Sequence, residues 1–413
     1  MSVAEMVEEI LGADLPVAFE AYDGSRCGPV DAPATIVLRS PTALQRILTA
    51  PGELGFGRAY VAGDLDVEGD IWAALALRDR LPAVKLEPSQ WLTVLRLVGS
   101  AGLRRPAPPP EEVRLRGPLH SKARDAAAIA HHYDVSNDFY RLVLGPTMTY
   151  SCAVWADPSI SLDDAQEAKY ALISHKLDLR PGMRLLDIGC GWGGMVMHAA
   201  RHCGVTAVGV TLSRRQAELA EKRVAEAGLG DKVEIRQQDY RDVADGPYDA
   251  VSSIGMFEHV GLSQVKEYFD KIYSLLRPEG RFLNHAIGRP PFERGRSRFG
   301  RRGFIDRYVF PDGELHEVGT IVSAIQQSGF EVRHLESLRE HYALTLRAWV
   351  ANLEANWDAV VAQAGLARAR IWRLYMAGSA VNFEAGHTQI HQVLATQSTN
   401  GDSGMPLRPR FET

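Results

Sequence analysis

The stretch RLLDIGCGWGGMVMHAARHCGVTAVGVTLSRRQ, residues 184–216, decides the fold. Leu185, Leu186 and Ile188 read as a buried strand that runs directly into Gly189-Cys190-Gly191-Trp192-Gly193-Gly194. A helical pattern follows at 195–202, and then a second apolar strand at 206–210. A glycine-rich turn between a strand and a helix lets backbone approach a ligand closely and aims helix N–H groups at it. In a βαβ unit such a turn marks a nucleotide-type cofactor site.

A nicotinamide site would show G-x-G-x-x-G and an acidic residue about twenty positions on, gripping the ribose. Here the glycines run G-x-G-x-G-G, and the second strand ends at Thr211, with Ser213 and Gln216 just beyond. Asp187, directly before the glycines, instead suits a ligand with a cationic amino group and no pyrophosphate. S-adenosylmethionine, with its adenosine, sulfonium and amino-acid tail, fits. The plainer alternative is a glycine turn that only packs helix on strand.

Working outward, 413 residues suit two domains better than one small core. A composition of 46% hydrophobic and 23% charged residues is that of a soluble globular protein. A net charge of -5 argues against general nucleic-acid binding. Cys27, Cys152, Cys190 and Cys203 form no C-x-x-C pair or zinc spacing, so a reduced, cytoplasmic setting is expected. The acidic, amphipathic MSVAEMVEEILGADL is no signal peptide, and no uncharged apolar run of about eighteen residues occurs.

Residues 1–103 mix short strand-like runs (34–38) with helical ones (71–77, 91–97), giving a smaller α+β domain. RRPAPPPEEVRLRGP, 104–118, is expected to be a linker, because its prolines cannot join a helix or a central strand. The domain at 119–413 opens with helical patterns and the segment TMTYSCAVW (147–155). It then alternates strand 184–188, helix 193–203, strand 206–210, helix 213–227, strand 232–236 and strand 250–254, followed by a helix through Leu276. RPEGRFLNHAIG reads as a turn and then a strand. Such alternation predicts a doubly wound, mostly parallel, Rossmann-like sheet with its ligand beyond the carboxyl ends of the strands. There the chain places the glycines, Thr211, Asp239-Tyr240, Glu258-His259 and His285.

With these residues in hand, the chain resembles the cyclopropane-fatty-acyl-phospholipid synthases, a family that includes mycolic-acid cyclopropane synthases and acyl-chain methylating relatives. The resemblance rests on HHYDVSNDFY (131–140), MTYSCAVW (148–155), LLDIGCGWGG (185–194), GVTLSRRQ (209–216), SIGMFEHVG (253–261), RYVFPDG (307–313) and HYALTLRAW (341–349). GFGRAYVAGDLDVEGDI (55–71) resembles the additional N-terminal domain of the phospholipid-acting members. The resemblance implies a class I methyltransferase fold. It also implies an S-adenosylmethionine site using Tyr150, Ser151, Gly189, Gly191, Gly193, Thr211, Leu212, Gln216, Asp239 and Tyr240. Methyl transfer to a cis double bond of a phospholipid acyl chain is the implied reaction. A bicarbonate ion held among Cys152, Glu258, His285, the backbone of Ile287 and Tyr342 is the implied base.

The chemistry is consistent with these residue types. An alkene is a poor nucleophile but a sulfonium is a strong methyl donor, so the site must hold both reactants in line and dry. Attack leaves a positive charge on the acyl chain, which aromatic faces and carboxylates stabilise; Tyr133, Tyr150, Phe257 and Glu258 are suppliers. A base must then remove a proton. Loss from the new methyl closes a cyclopropane, and loss elsewhere gives a methylene branch that a partner reductase would convert to a 10-methyl chain. Plainer roles exist for each residue. Cys152 could be a small buried hydrophobe, Glu258 a helix cap, and His285 and Tyr342 core side chains. His131-His132 resembles a metal pair, but no third ligand is placed near it, and no metal is expected.

RPPFERGRSRFGRRGFIDR, 289–307, is arginine-rich with interleaved phenylalanines, and is read as a contact for lipid phosphates or else as a solvated loop. The expected protein therefore associates peripherally with the inner membrane face. Its expected partners are unsaturated phospholipid, a reductase if the product is a methylene branch, and further copies of itself in a homo-oligomer. Two rivals remain: a small-molecule C- or N-methyltransferase on the same fold, and a non-catalytic lipid-binding relative.

Overall fold

The computed structural model describes residues 1–77, 105–113, 124, 135–291 and 303–411. His131, His132 and Tyr133, the helical run 91–97 and most of the arginine-rich segment (292–302) lie outside the described residues. The chain forms two compact units, and they do not follow the linear partition expected from sequence.

The smaller unit gathers Met1–Arg114, Arg294–Pro311 and Val360–Val381. Its first helix, α1 (Val3–Leu11), is fixed by a capping box in which Ser2 Oγ accepts from Glu5 N–H and the Glu5 carboxylate returns to Ser2 N–H. Strands β1 (Ala18–Ala21), β2 (Arg26–Cys27), β3 (Ala34–Leu38) and β4 (Leu65–Gly69) form a sheet in the order β2-β1-β3-β4. Only the β1–β3 pair is parallel. Helices α2 (Pro41–Thr49), α3 (Glu53–Ala62) and α4 (Ile71–Ala76) complete the α+β arrangement.

Later segments join this unit through buried charge. Arg58 binds Glu112 through two hydrogen bonds of 2.8 Å, and Arg307 adds a third at 2.5 Å. Arg370 reaches Asp66 at 2.6 Å, and Arg373 donates to the Val67 and Gly69 carbonyls. A Cβ on Gly57 would lie 2.3 Å from the Phe304 ring, so that glycine is required by close approach. The proline-rich stretch read as a linker is thus anchored where it is described. Residues 105–113 are neither helix nor strand, yet Glu112 is buried among three partners. A run of prolines disfavours regular structure without excluding packing, and a carboxylate buried with two guanidiniums stays put.

The larger unit comprises Leu115–Glu293, Asp312–Ala359 and Asn382–Thr413. It contains α5 (Asn137–Leu144), α6 (Leu162–Leu177), β5 (Arg184–Ile188), α7 (Gly194–Cys203), β6 (Thr206–Thr211), α8 (Arg214–Glu226), β7 (Val233–Gln237) and β8 (Tyr248–Ile254). The chain continues with α9 (Val265–Leu275), β9 (Leu276–Gly288), α10 (Val318–Gln327), β10 (Glu331–Ser337), α11 (Arg339–Ala355) and β11 (Gln389–Thr396). The seven-stranded sheet runs β10-β11-β9-β8-β5-β6-β7. Pairs from β9 through β7 are parallel, and β11 is antiparallel to both its neighbours.

Successive residues of β5 face opposite layers. Leu185 packs with Ile173, Val196 and Ala200 under α6 and α7, while Leu186 packs with Val251, Phe269 and Phe282 under α9. Burial on both faces explains the unbroken apolar runs of the parallel strands. The chain leaves β5 for β6 on one side, and β8 pairs on its other side, so the carboxyl end of β5 is a topological switch point. The glycine turn sits there. Two features differ from the sequence reading. The turn expected before the fifth strand is absorbed into β9, with Glu279 at φ 63 taking the bend. The closing strand β11 was not anticipated.

Candidate functional site

At the switch point a cavity is lined by Tyr150, Ser151, Asp187, Gly189, Gly191, Thr211, Leu212, Gln216 and Tyr240, among others. Nine of the eleven residues expected to hold the cofactor therefore converge on one space. Asp187, at the end of β5, is 2% exposed, and its Oδ1 accepts from Ser252 Oγ at 2.6 Å. Burial pushes its carboxyl up to about 6. A cationic amino group beside it would favour the charged form and draw that value back down. Gly189 has φ +79, and a Cβ there would sit 2.9 Å from Met256, so only glycine makes this turn.

The two exceptions have other tasks. Gly193, at φ +82, starts α7 and faces Ala220 and Ile235, where a Cβ would be 3.4 Å from the Ala220 side chain. It serves the turn and helix packing. Asp239 does not line the cavity; its carboxylate accepts from the Arg241 backbone at 2.9 Å and pairs with the Arg241 guanidinium at 2.6 Å. Thr211 and Gln216 line the cavity while bonded to each other at 2.8 Å, in the turn where Ser213 caps α8.

Sequence reasoning missed the contribution of α6. Lys169 is fully buried, lines the cavity and donates to Ser151 Oγ at 2.8 Å, with its ammonium 4.2 Å from the Tyr170 ring centroid. Burial pushes it down to about 7. Gln166, one turn earlier, donates to the Ser151 carbonyl at 3.0 Å. Gln166, Lys169 and Ile173 share one helical face, but only the tertiary packing shows that this face is buried. His259, held near 4 by burial, also lines the cavity.

The residues expected around a bound anion are linked through strand register and backbone hydrogen bonds. Glu258 follows β8 in a short 3-10 turn and is buried; its Oε1 accepts from Ile287 N–H at 2.6 Å. Ile287 lies opposite Ile390 in β11, whose carbonyl accepts from Leu338 N–H at 3.0 Å. The Leu338 carbonyl in turn accepts from Cys152 Sγ at 3.7 Å and from Tyr342 N–H at 3.1 Å. Tyr342 is buried in α11, its ring 4.7 Å from Phe383 and 6.0 Å from Trp349. Cys152 is completely buried, and burial raises its thiol well above the usual range, so it is a neutral group and no nucleophile.

His285 lies two residues before Ile287, opposite Gln392. Gln392 Oε1 accepts from Lys176 Nζ at 2.7 Å, so its Nε2 faces His285 Nδ1 at 3.0 Å. Lysine can only donate, which fixes the amide and makes Nδ1 the acceptor. The imidazole proton therefore resides on Nε2. Burial holds the ring neutral, with the two nearby lysines reinforcing the shift. Among the described residues, His285 Nε2 and Glu258 Oε2 are both buried without a hydrogen-bond partner. Burial also pushes the Glu258 carboxyl up to about 7. One open donor and one open acceptor are what a small hydroxylated anion would satisfy. No helix among the described residues is long and apolar enough to cross a membrane.

Residues 120–393 match the family model described as mycolic acid cyclopropane synthetase. The chain is 49% identical, over its whole length and 99% of the relative, to a Mycobacterium tuberculosis protein named probable fatty acid methyltransferase Rv3720. It is 35% identical to the cyclopropane-fatty-acyl-phospholipid synthase of Escherichia coli, covering 88% of each chain. Among solved structures it resembles mycolic acid cyclopropane synthase CmaA1 complexed with SAH and CTAB, at a TM-score of 0.63 and 35% identity. That match covers 66% of this chain and 98% of the other.

Proposed function

The chain belongs to the mycolic acid cyclopropane synthetase family, and from that premise we propose that it alkylates the cis double bond of a phospholipid acyl chain. Its fold is that of a class I methyltransferase, and S-adenosylmethionine-dependent modification of lipid acyl chains is the activity of its kind. The product in this reading is a cyclopropane or a methylene-branched chain, formed through a carbocation. The observation that carries it is that Glu258 Oε2 and His285 Nε2, on residues linked through β9, are each buried without a partner among the described residues.

When bound, S-adenosylmethionine supplies an electrophilic methyl group. Asp187 offers a carboxylate to the cofactor's amino group, and the positive-φ glycines bring backbone against it. Lys169 fixes the Ser151 hydroxyl from behind. Tyr150, which lines the cavity with its ring 5.2 Å from that of Trp349, presents an aromatic face that would stabilise a cation, whereas Phe257 packs in the core against Phe269. Bicarbonate, when bound, would supply a base for the cation. Glu258 and His285, each with one buried open atom, would hold that ion, while Ile287 N–H holds Glu258 in place. Cys152 and Tyr342, both buried, are the further side chains this reading assigns to the ion. The same proposal includes peripheral attachment to a membrane surface, since the acyl chain is presented there.

The test is incubation with S-adenosylmethionine and oleoyl phospholipid vesicles, followed by mass spectrometry of the acyl chains. Gain of CH2 with a ring marks a cyclopropane; the same gain with an exocyclic alkene marks the methylene branch and a need for a reductase. Absence of any gain on unsaturated lipid overturns the reading in favour of a small-molecule substrate.

A further inference from the structure

Away from the cavity, α6 and α7 bring together three metal-ligating side chains that no role above uses. Glu167 of α6 and His198 and His202 of α7 each offer one ligand atom, and these atoms lie within 4.8 Å of one another. The histidines are four positions apart on one helix, so they project from the same face. Their ring centroids are 4.6 Å apart at an interplanar angle of 36°. Glu167 approaches from the neighbouring helix, with Oε2 2.8 Å from His198 Nδ1.

We propose that Glu167, His198 and His202 form a binding site for a divalent transition metal ion of the zinc class. Two imidazoles and one carboxylate are the donor set that zinc, nickel and copper prefer to magnesium or calcium. Three protein ligands leave a coordination position for water. Metal–ligand bonds of about 2.0–2.2 Å place ligand atoms roughly 3.3 Å apart in a tetrahedron, so the cluster must contract slightly. The exposed partners have room to do this. Glu167 is 57% exposed at its side chain and His202 is exposed, whereas the His198 side chain, at 9%, is already fixed with its ring 5.6 Å from that of Tyr170. An ordinary surface pair needs only Glu167 and His198. The third ligand at helical spacing is what distinguishes a chelate.

The ion would clasp α6, which carries Lys169 and Tyr170 in the cavity wall, to α7, which starts at the glycine turn. Because the three ligands converge only in the folded chain, binding stabilises it by mass action. The test uses the full chain stripped with a chelator and titrated with zinc chloride alone, by calorimetry and thermal unfolding. His202→Ala and Glu167→Gln run in parallel, with circular dichroism confirming their fold. The expected result is one saturable equivalent, an affinity at least about tenfold weaker in either variant, and a zinc-dependent rise in Tm that His202→Ala abolishes. Cobalt substitution should give visible bands without a thiolate charge-transfer feature, which separates this site from the neighbouring Cys203. Binding unaffected by both variants, a thiolate band, or no saturable site overturns the proposal.

Discussion

At the cofactor end of the site, Asp187 is held by Ser252, Thr211 by Gln216 and Ser151 by Lys169. A few residues away, Glu258 Oε2 and His285 Nε2 are buried with no partner among the described residues. Both ends use conventional polar side chains, and burial shifts the carboxyls of both upward. The difference lies in what completes them. The cofactor end is a pre-assembled shape whose groups are already bonded, so a large ligand gains contacts without rescuing anything. The other end is chemically incomplete, because a buried open valence costs free energy until a ligand fills it. Binding and reaction are thus separable by mutation.

Glu258→Gln should separate them most widely. The amide is nearly isosteric and can still accept from Ile287 N–H, but it cannot hold an anion's hydroxyl as a carboxylate does. Turnover should fall about 10²- to 10⁴-fold, the range for removing acid–base assistance, while calorimetric affinity for S-adenosylmethionine stays unchanged. Equal loss of both would show that the two ends are one unit. Asp187→Asn is the mirror experiment. Losing a hydrogen bond between charged groups costs about 1.5–3 kcal/mol, so cofactor affinity should drop roughly 10- to 100-fold, with kcat at saturation much less affected. A larger effect on kcat than on KM would place Asp187 in the reaction instead.

A smaller effect is expected from Gln392→Leu, which touches neither reactant. Without the amide, nothing selects the Nε2–H tautomer of His285, so roughly a tenfold loss of kcat is expected, with KM for cofactor constant. The diagnostic is the imidazole nitrogen chemical shift. It should report an Nε2–H ring in the native protein and a mixture in the variant. An unaltered tautomer in the variant would assign that role elsewhere.

The two ends also differ in how far the sequence exposed them. The glycine turn, Asp187 and Thr211 are local, because strand, turn and helix succeed one another within about thirty residues, and their spacing alone names a ligand class. Cys152, Glu258, His285, Ile287 and Tyr342 are scattered, and motif resemblance rather than spacing collected them. Their link runs through the β9–β11 register and the Leu338 carbonyl, which depends on an antiparallel strand that no periodicity announced. Lys169, Lys176 and Gln392 were invisible for a related reason. A lysine inside a helix without a clear apolar stripe looks solvated until tertiary structure buries it. The linker reading failed similarly at Glu112, whose partners Arg58 and Arg307 lie 54 and 195 residues away.

The incomplete end should finally reveal itself in stability, with no substrate present. The folded Glu258 carboxyl titrates at about 7, against an ordinary value of 4.5. A raised acid means the folded state holds a proton that the unfolded state has released. Stability attributable to this group is therefore intact below about 4.5 and is lost as pH rises towards 7. Glu258→Gln removes that loss. The variant should match the native chain near pH 5 and exceed it at pH 8 by on the order of 1–3 kcal/mol, only a few degrees of Tm in a chain this long. Adding bicarbonate at pH 8 should narrow the gap from the native side, since an anion that satisfies Glu258 and His285 binds only the folded chain. If Tm of the native protein and the variant instead run parallel across this range, the carboxyl is already satisfied and the contrast between the two ends disappears.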